Sequence, residues 1–127
     1  MNKPAQCSIT KRMQSFMHAF NGLKLLFKEE HNARIHLAVA IIALTLGFVL
    51  DINTTEWLTV LLSIALVISL ELLNAAIENL ADFVCPQKDV RIKKIKDLAA
   101  GAVLWGAMAA FIIGGVIFVP KLWQLIS

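Results

Sequence analysis

Four oxygen-bearing side chains recur along one short segment, residues 71–82 (ELLNAAIENLAD), as Glu71, Asn74, Glu78 and Asp82. In an α-helix, successive residues are about 100° apart, so all four positions fall on one narrow face. Glu71 follows an uncharged apolar run at 64–70. A carboxylate in such surroundings costs free energy, so this pattern predicts that Glu71 has a functional role.

For the other three members of this face, an ordinary structural role is as well supported as a functional one. Glu78 and Asp82 fit a solvated helix end, and Asn74 fits a hydrogen bond between helices. Glu30, Lys96 and Asp97 lie near the same level of the predicted helices. Hard oxygen ligands beside lysines suit Mg²⁺ and phosphate groups, which is the equipment of phosphoryl transfer. A proton-coupled carrier with buried acids fits the same spacing, and the chain has neither a Walker loop nor a kinase glycine-rich loop.

The composition shows where these residues must lie. Of 127 residues, 58% are hydrophobic and 17% charged, whereas soluble domains are about 45–50% apolar and about 25% charged. A short chain with this composition would leave much apolar surface in water, which excludes a soluble domain. It also has too many apolar side chains to remain disordered. The net charge is +3, but long apolar runs separate the basic residues, and no stacking aromatics are interleaved with them. We therefore expect no nucleic-acid partner.

The apolar runs predict an all-α integral membrane protein, one membrane domain over residues 1–127. Transmembrane spans are predicted at 35–52, 57–77 and 98–119, with Pro120 ending the third. Before them, residues 11–31 carry apolar side chains at helical spacing among basic ones. That segment predicts an amphipathic helix lying at the membrane surface.

The basic residues predict the orientation of the spans. Six precede the first span (Lys3, Lys11, Arg12, Lys24, Lys28 and Arg34) and five occupy 82–97 (Lys88, Arg91, Lys93, Lys94 and Lys96). The 51–56 connection has none, and only Lys121 follows the third span. Since cytoplasmic loops are enriched in Lys and Arg, the N-terminus and the 82–97 loop are predicted to be cytoplasmic and the C-terminus outside.

Several segments together resemble the small prokaryotic diacylglycerol kinase family. The family pattern E-x-x-N-[ST]-A-I-E-x-x-x-D, followed by a Lys-Asp motif, matches SLELLNAAIENLADFV (69–84) and KKIKDLAAGAVL (93–104). The resemblance extends over about residues 11–122. It is greatest to the undecaprenol kinase branch, through E-x-N-x-x-x-H (30–36), E-W (56–57), S-L-E-L-L-N (69–74) and F-x-P-K-L (118–122). Ala75 departs from the usual Ser or Thr, and Lys88 and Asp89 stand where a His is frequent.

The resemblance implies a homotrimer in the bacterial cytoplasmic (inner) membrane, with active sites shared between subunits. It implies that Glu71 is the general base and that Glu30 and Glu78 bind Mg²⁺. The implied nucleotide-binding residues are Lys11, His18, Glu30, Glu78, Gln87, Lys88, Asp89, Lys96 and Asp97, supported by Asn74 and Asp82. The implied reaction is phosphorylation of a membrane lipid alcohol by ATP. Undecaprenol is the preferred acceptor, and the alternative is diacylglycerol, which would give phosphatidic acid. The alternative from a different functional class is an ion-coupled small membrane carrier or scaffold.

Overall fold

Four α-helices make up the chain in a computed structural model that describes residues 5–127, with side chains from residue 8 onward. They are α1 (Ala5–Glu29), α2 (His31–Val49), α3 (Thr54–Val84) and α4 (Val90–Ile126). No strand occurs in the described range. Lys3, which the charge count included, lies outside the described residues.

Three of these helices, α2, α3 and α4, are long and apolar enough to cross a membrane. Many large apolar side chains on them are exposed in the single chain, among them Leu62, Trp105 and Phe111. Such a surface is favourable in lipid and unfavourable in water. The predicted class, an integral membrane protein with three transmembrane helices and an N-terminal amphipathic helix, is therefore confirmed.

The prediction that Pro120 ends the last helix is wrong, because Pro120 lies inside α4. Proline removes its own N–H donor and crowds the carbonyl four residues earlier, and transmembrane helices tolerate both where neighbouring groups compensate. With 37 residues, α4 is about 55 Å long at 1.5 Å per residue. It therefore extends beyond the roughly 30 Å hydrocarbon layer.

Two connections separate the spanning helices and define the two ends of the molecule. At what we call the turn end, α2 joins α3 through residues 50–53, where Asp51 has a positive φ of 51°. Asn53 caps α3, its side chain accepting from the Glu56 N–H while the Glu56 carboxylate accepts from the Asn53 N–H. At the opposite loop end, residues 85–89 join α3 to α4. Both connections are short, so α3 runs antiparallel to α2 and α4.

Helix packing is closest between α3 and α4. A Cβ on Gly106 of α4 would come within 2.5 Å of the Leu70 side chain on α3, so a larger residue there would require that side chain to move. The buried apolar cluster lies nearer the turn end, and its members are Ile52, Val60, Ile117 and Phe118.

Among the described side chains of α1, the buried and half-buried ones lie near its C-terminus. Leu26 is buried and Leu23 and Phe27 are half-buried, whereas residues 8–21 are exposed on every side. Glu30 then interrupts the helical path with an extended backbone (φ −102°, ψ 113°). The break places the Glu30 side chain at the corner between α1 and α2, at the loop end.

Candidate active site

Glu71 is the one buried charged side chain among the described residues, with a relative exposure of 3%. Its Oε1 lies 3.2 Å from Nε2 of His36 on α2. That oxygen accepts no hydrogen bond in the described structure, so the contact is a close electrostatic one without aligned donor geometry. Catalytic hydrogen bonds are often poorly aligned before substrate binds. A buried carboxylate of this kind can accept a hydrogen bond from a substrate hydroxyl.

Two more carboxylates surround Glu71. The charges of Glu30, at the α1–α2 corner, and of Glu78, two turns along α3, both act on its side chain. The amide oxygen of Asn74, which lies between Glu71 and Glu78 along α3, is also buried without a hydrogen-bond partner in the described part of the chain. Three acids from two separate parts of the sequence are therefore close enough for their charges to interact.

The predicted polar face of α3 becomes steadily more accessible toward the loop end. Glu71 is buried, Asn74 and Glu78 are half-buried, and Asp82 is exposed. One face thus leads from solvent into the apolar interior, as a site that joins a water-soluble substrate to a lipid requires.

At the loop end, an ion pair joins α4 to α3. Lys96 of α4 donates from Nζ to Oδ1 of Asp82 on α3, at 2.5 Å. The negative charge of Glu78 also acts on the Lys96 ammonium group. Asp97 bonds instead to Lys93 one turn away, at 2.6 Å. The neighbouring Lys96 and Asp97 therefore have different partners, and Lys96 is the one connected to the acids of α3.

An open groove of about 590 Å³ lies at the loop end. Six of the predicted site residues line it, namely Asp82, Gln87, Lys88, Asp89, Lys96 and Asp97. Its volume is in the usual range for small-molecule sites, about 300–1,000 Å³. The structure thus brings the 87–89 loop and the α4 residues to one surface.

Asp89 has a structural task in this groove. It caps α4, and its Oδ1 accepts from the backbone N–H of Arg91 at 2.8 Å and from the Arg91 Nε at 3.2 Å. The side-chain hydrogen bond from Arg91 is the main reason that the pKa of the Asp89 carboxyl lies below its usual range. Its first contribution is therefore to fix the start of α4.

Lys11 and His18 lie on the exposed part of α1, away from the buried anchor at Leu26. Within residues 5–127, no group of three or more possible metal ligands is assembled. His36, by contrast, was not predicted as a site residue. A signal was present in the sequence, because His36 and Glu71 lie about equally far from Asn53 on either side of it, which places them at one depth in an antiparallel pair.

Comparison with known proteins supports a kinase. The family described as prokaryotic diacylglycerol kinase matches residues 17–118. Undecaprenol kinase of Bacillus subtilis (strain 168) is 37% identical over 121 residues, covering 95% of this chain and 98% of that protein. A diacylglycerol kinase of Synechocystis sp. is 38% identical over 112 residues, covering 87% of this chain and 64% of that protein. A diacylglycerol kinase of Haemophilus influenzae is 30% identical, covering 87% and 94%.

Proposed function

This chain belongs to the prokaryotic diacylglycerol kinase family and is a lipid kinase, and from that premise we propose that it phosphorylates undecaprenol in preference to diacylglycerol. The acceptor is supported by the match to undecaprenol kinase over nearly the whole length of both chains. The relatives named diacylglycerol kinase support diacylglycerol as the second candidate. The structural observation that carries the proposal is Glu71, a buried carboxylate at the inner end of a polar face.

Glu71 is the general base in the proposed reaction. Its carboxylate accepts a hydrogen bond from the lipid hydroxyl and so directs that oxygen toward the terminal phosphorus of ATP. The hydroxyl oxygen forms the new P–O bond while the bond to the ADP oxygen breaks, and the hydroxyl proton passes to Glu71. Because transfer to a loose transition state needs little help from a base, orienting the hydroxyl is the larger part of this task.

Glu30 and Glu78 are the proposed ligands of Mg²⁺. Carboxylate oxygens suit this ion, and both side chains lie near enough to Glu71 for their charges to act on it. Mg²⁺ at ATP sites is usually held by one or two carboxylates, with phosphates and waters as the other ligands, so a pair without a third protein ligand fits it. When bound, the ion neutralises charge on the phosphates.

The groove at the loop end is the proposed nucleotide site. Lys96 and Lys88 supply positive charge for the phosphates, and Gln87, Asp89 and Asp97 complete the surface, with Asn74 and Asp82 in support. Lys11 and His18, exposed in the single chain, are assigned to a nucleotide bound between subunits of a homotrimer. The many exposed apolar side chains support such assembly. Light scattering of the active enzyme in detergent should give three chains, and an active monomer would contradict this.

One assay tests the reaction and the acceptor together. Membranes or detergent micelles containing the purified protein receive γ-labelled ATP, Mg²⁺ and equal amounts of undecaprenol and diacylglycerol. We expect label in undecaprenyl phosphate at a higher initial rate than in phosphatidic acid. A faster diacylglycerol reaction would change the proposed acceptor, and the absence of lipid-bound label would contradict kinase activity on both.

We also propose that the protein lies in the cytoplasmic membrane with its N-terminus and loop end inside and its C-terminus outside. The distribution of basic residues supports this orientation. A phosphatase reporter fused after Ser127 should be active and a fluorescent reporter at that position dark, because they mature on opposite sides. Fusions after Lys88 serve as the control and should give the reverse. A fluorescent C-terminal fusion would contradict the orientation.

A further inference from the structure

His36 is a polar side chain in the apolar helix α2, and it faces Glu71. The imidazole is 26% exposed and the carboxylate 3% exposed, with 3.2 Å between Nε2 and Oε1. Each group alone would be unfavourable in a helix packed within hydrocarbon, and such groups usually pair with one another. The contact therefore joins α2 to the reactive centre proposed on α3.

The two oxygens of Glu71 differ in their surroundings. Oε1 is fully buried, and it is the oxygen that faces His36. If Nε2–H donates to Oε1, the carboxylate is held in one rotation. Oε2 is then the oxygen that meets a substrate hydroxyl.

The neighbouring charges give Glu71 few favourable partners. The charges of Glu30 and Glu78 repel its carboxylate, whereas the imidazole of His36 lies 3.2 Å from it and can donate a hydrogen bond. Among the residues that the structure describes, His36 is the one side chain within ion-pair distance of the Glu71 carboxylate. The imidazole thus offsets the repulsion that a cluster of acids creates.

We propose that His36 is a positioning residue for the phosphoryl-transfer reaction, holding Oε1 of Glu71 so that Oε2 is directed at the hydroxyl of the lipid acceptor. This inference rests on the proposed function, in which Glu71 is the base. His36 touches neither substrate in this scheme. It acts through the orientation of a second side chain.

A matched pair of amide variants tests the inference. In His36→Gln, the amide nitrogen reaches about as far as Nε2 of histidine, whereas in His36→Asn it is one methylene short. We expect His36→Gln to keep kcat within about threefold of wild type. His36→Asn should lower kcat about tenfold, the loss of rate that corresponds to losing one charge-assisted hydrogen bond. The KM for ATP should change little in either, since the groove at the loop end is untouched. Thr45→Leu, a polar-to-apolar change at an exposed position on α2, is the control and should leave both constants unchanged.

A second measurement separates positioning from a general effect on the fold. In a Glu71→Gln background, adding His36→Asn should cause no further loss of kcat, because the side chain that His36 orients no longer carries a base. Equal losses in the Gln and Asn variants, or a full tenfold loss in the Glu71→Gln background, would overturn the inference. Lack of lipid phosphorylation by the wild-type protein would overturn the proposed function instead, so the two failures are distinct.

Discussion

Replacing Glu71 by Gln is expected to lower the turnover number for lipid phosphorylation by about 10²–10⁴, the usual contribution of a positioned acid or base. The amide keeps the size of the side chain but cannot accept the hydroxyl proton. ATP affinity should remain near that of wild type, since Glu71 lies deeper than the residues that line the groove. Initial rates with labelled ATP and equilibrium binding of a fluorescent ATP analogue would measure the two quantities.

The stability of this variant carries further information. The substitution removes a carboxylate that is 3% exposed and near two like charges, so the assembly should be at least as stable in detergent. Asp51→Asn, the same type of change at the exposed turn end, is the control and should retain full activity. Joint loss of ATP binding and turnover in Glu71→Gln, or unfolding in mild detergent, would make Glu71 a structural or nucleotide-binding residue. Asp97 would then be the next candidate for the base.

Replacing Glu78 by Gln is expected to lower turnover at least about a hundredfold at ordinary Mg²⁺ concentrations, which is the usual loss when one electrostatically stabilising group is removed. Gln keeps the volume but removes the charge of one of the two proposed Mg²⁺ ligands. Higher Mg²⁺ should restore part of the activity, because weaker binding is offset by concentration. The Mg²⁺ concentration giving half-maximal rate is the quantity to measure.

A binding experiment makes the Glu78 prediction specific for the metal. In the wild-type protein, Mg²⁺ should tighten binding of a fluorescent ATP analogue, and in Glu78→Gln this effect should be largely lost. Asp51→Asn again provides the control and should keep the wild-type Mg²⁺ response. Full activity of Glu78→Gln, or an unchanged Mg²⁺ response, would contradict the assignment of this carboxylate to the metal.

The sequence by itself determined the three apolar spans and the shared face of Glu71, Asn74, Glu78 and Asp82. Both follow from local physics, since the length of an apolar run and the helical angle between nearby residues do not depend on distant contacts. The prediction that Pro120 ends α4 was also local, and it failed because a proline removes one donor while the surrounding residues still favour a helix in lipid.

Only the tertiary structure decided which side chains meet across helices. Lys96 and Asp97 are neighbours in sequence, yet Lys96 pairs with Asp82 on α3 while Asp97 pairs with Lys93 on its own helix. His36 reaches Glu71, and Glu30 is brought to the same centre by the break between α1 and α2. These pairings depend on the rotation of each helix about its axis and on its shift along its neighbour. Packing such as Leu70 against Gly106 sets both, and helical periodicity along one segment carries no information about either.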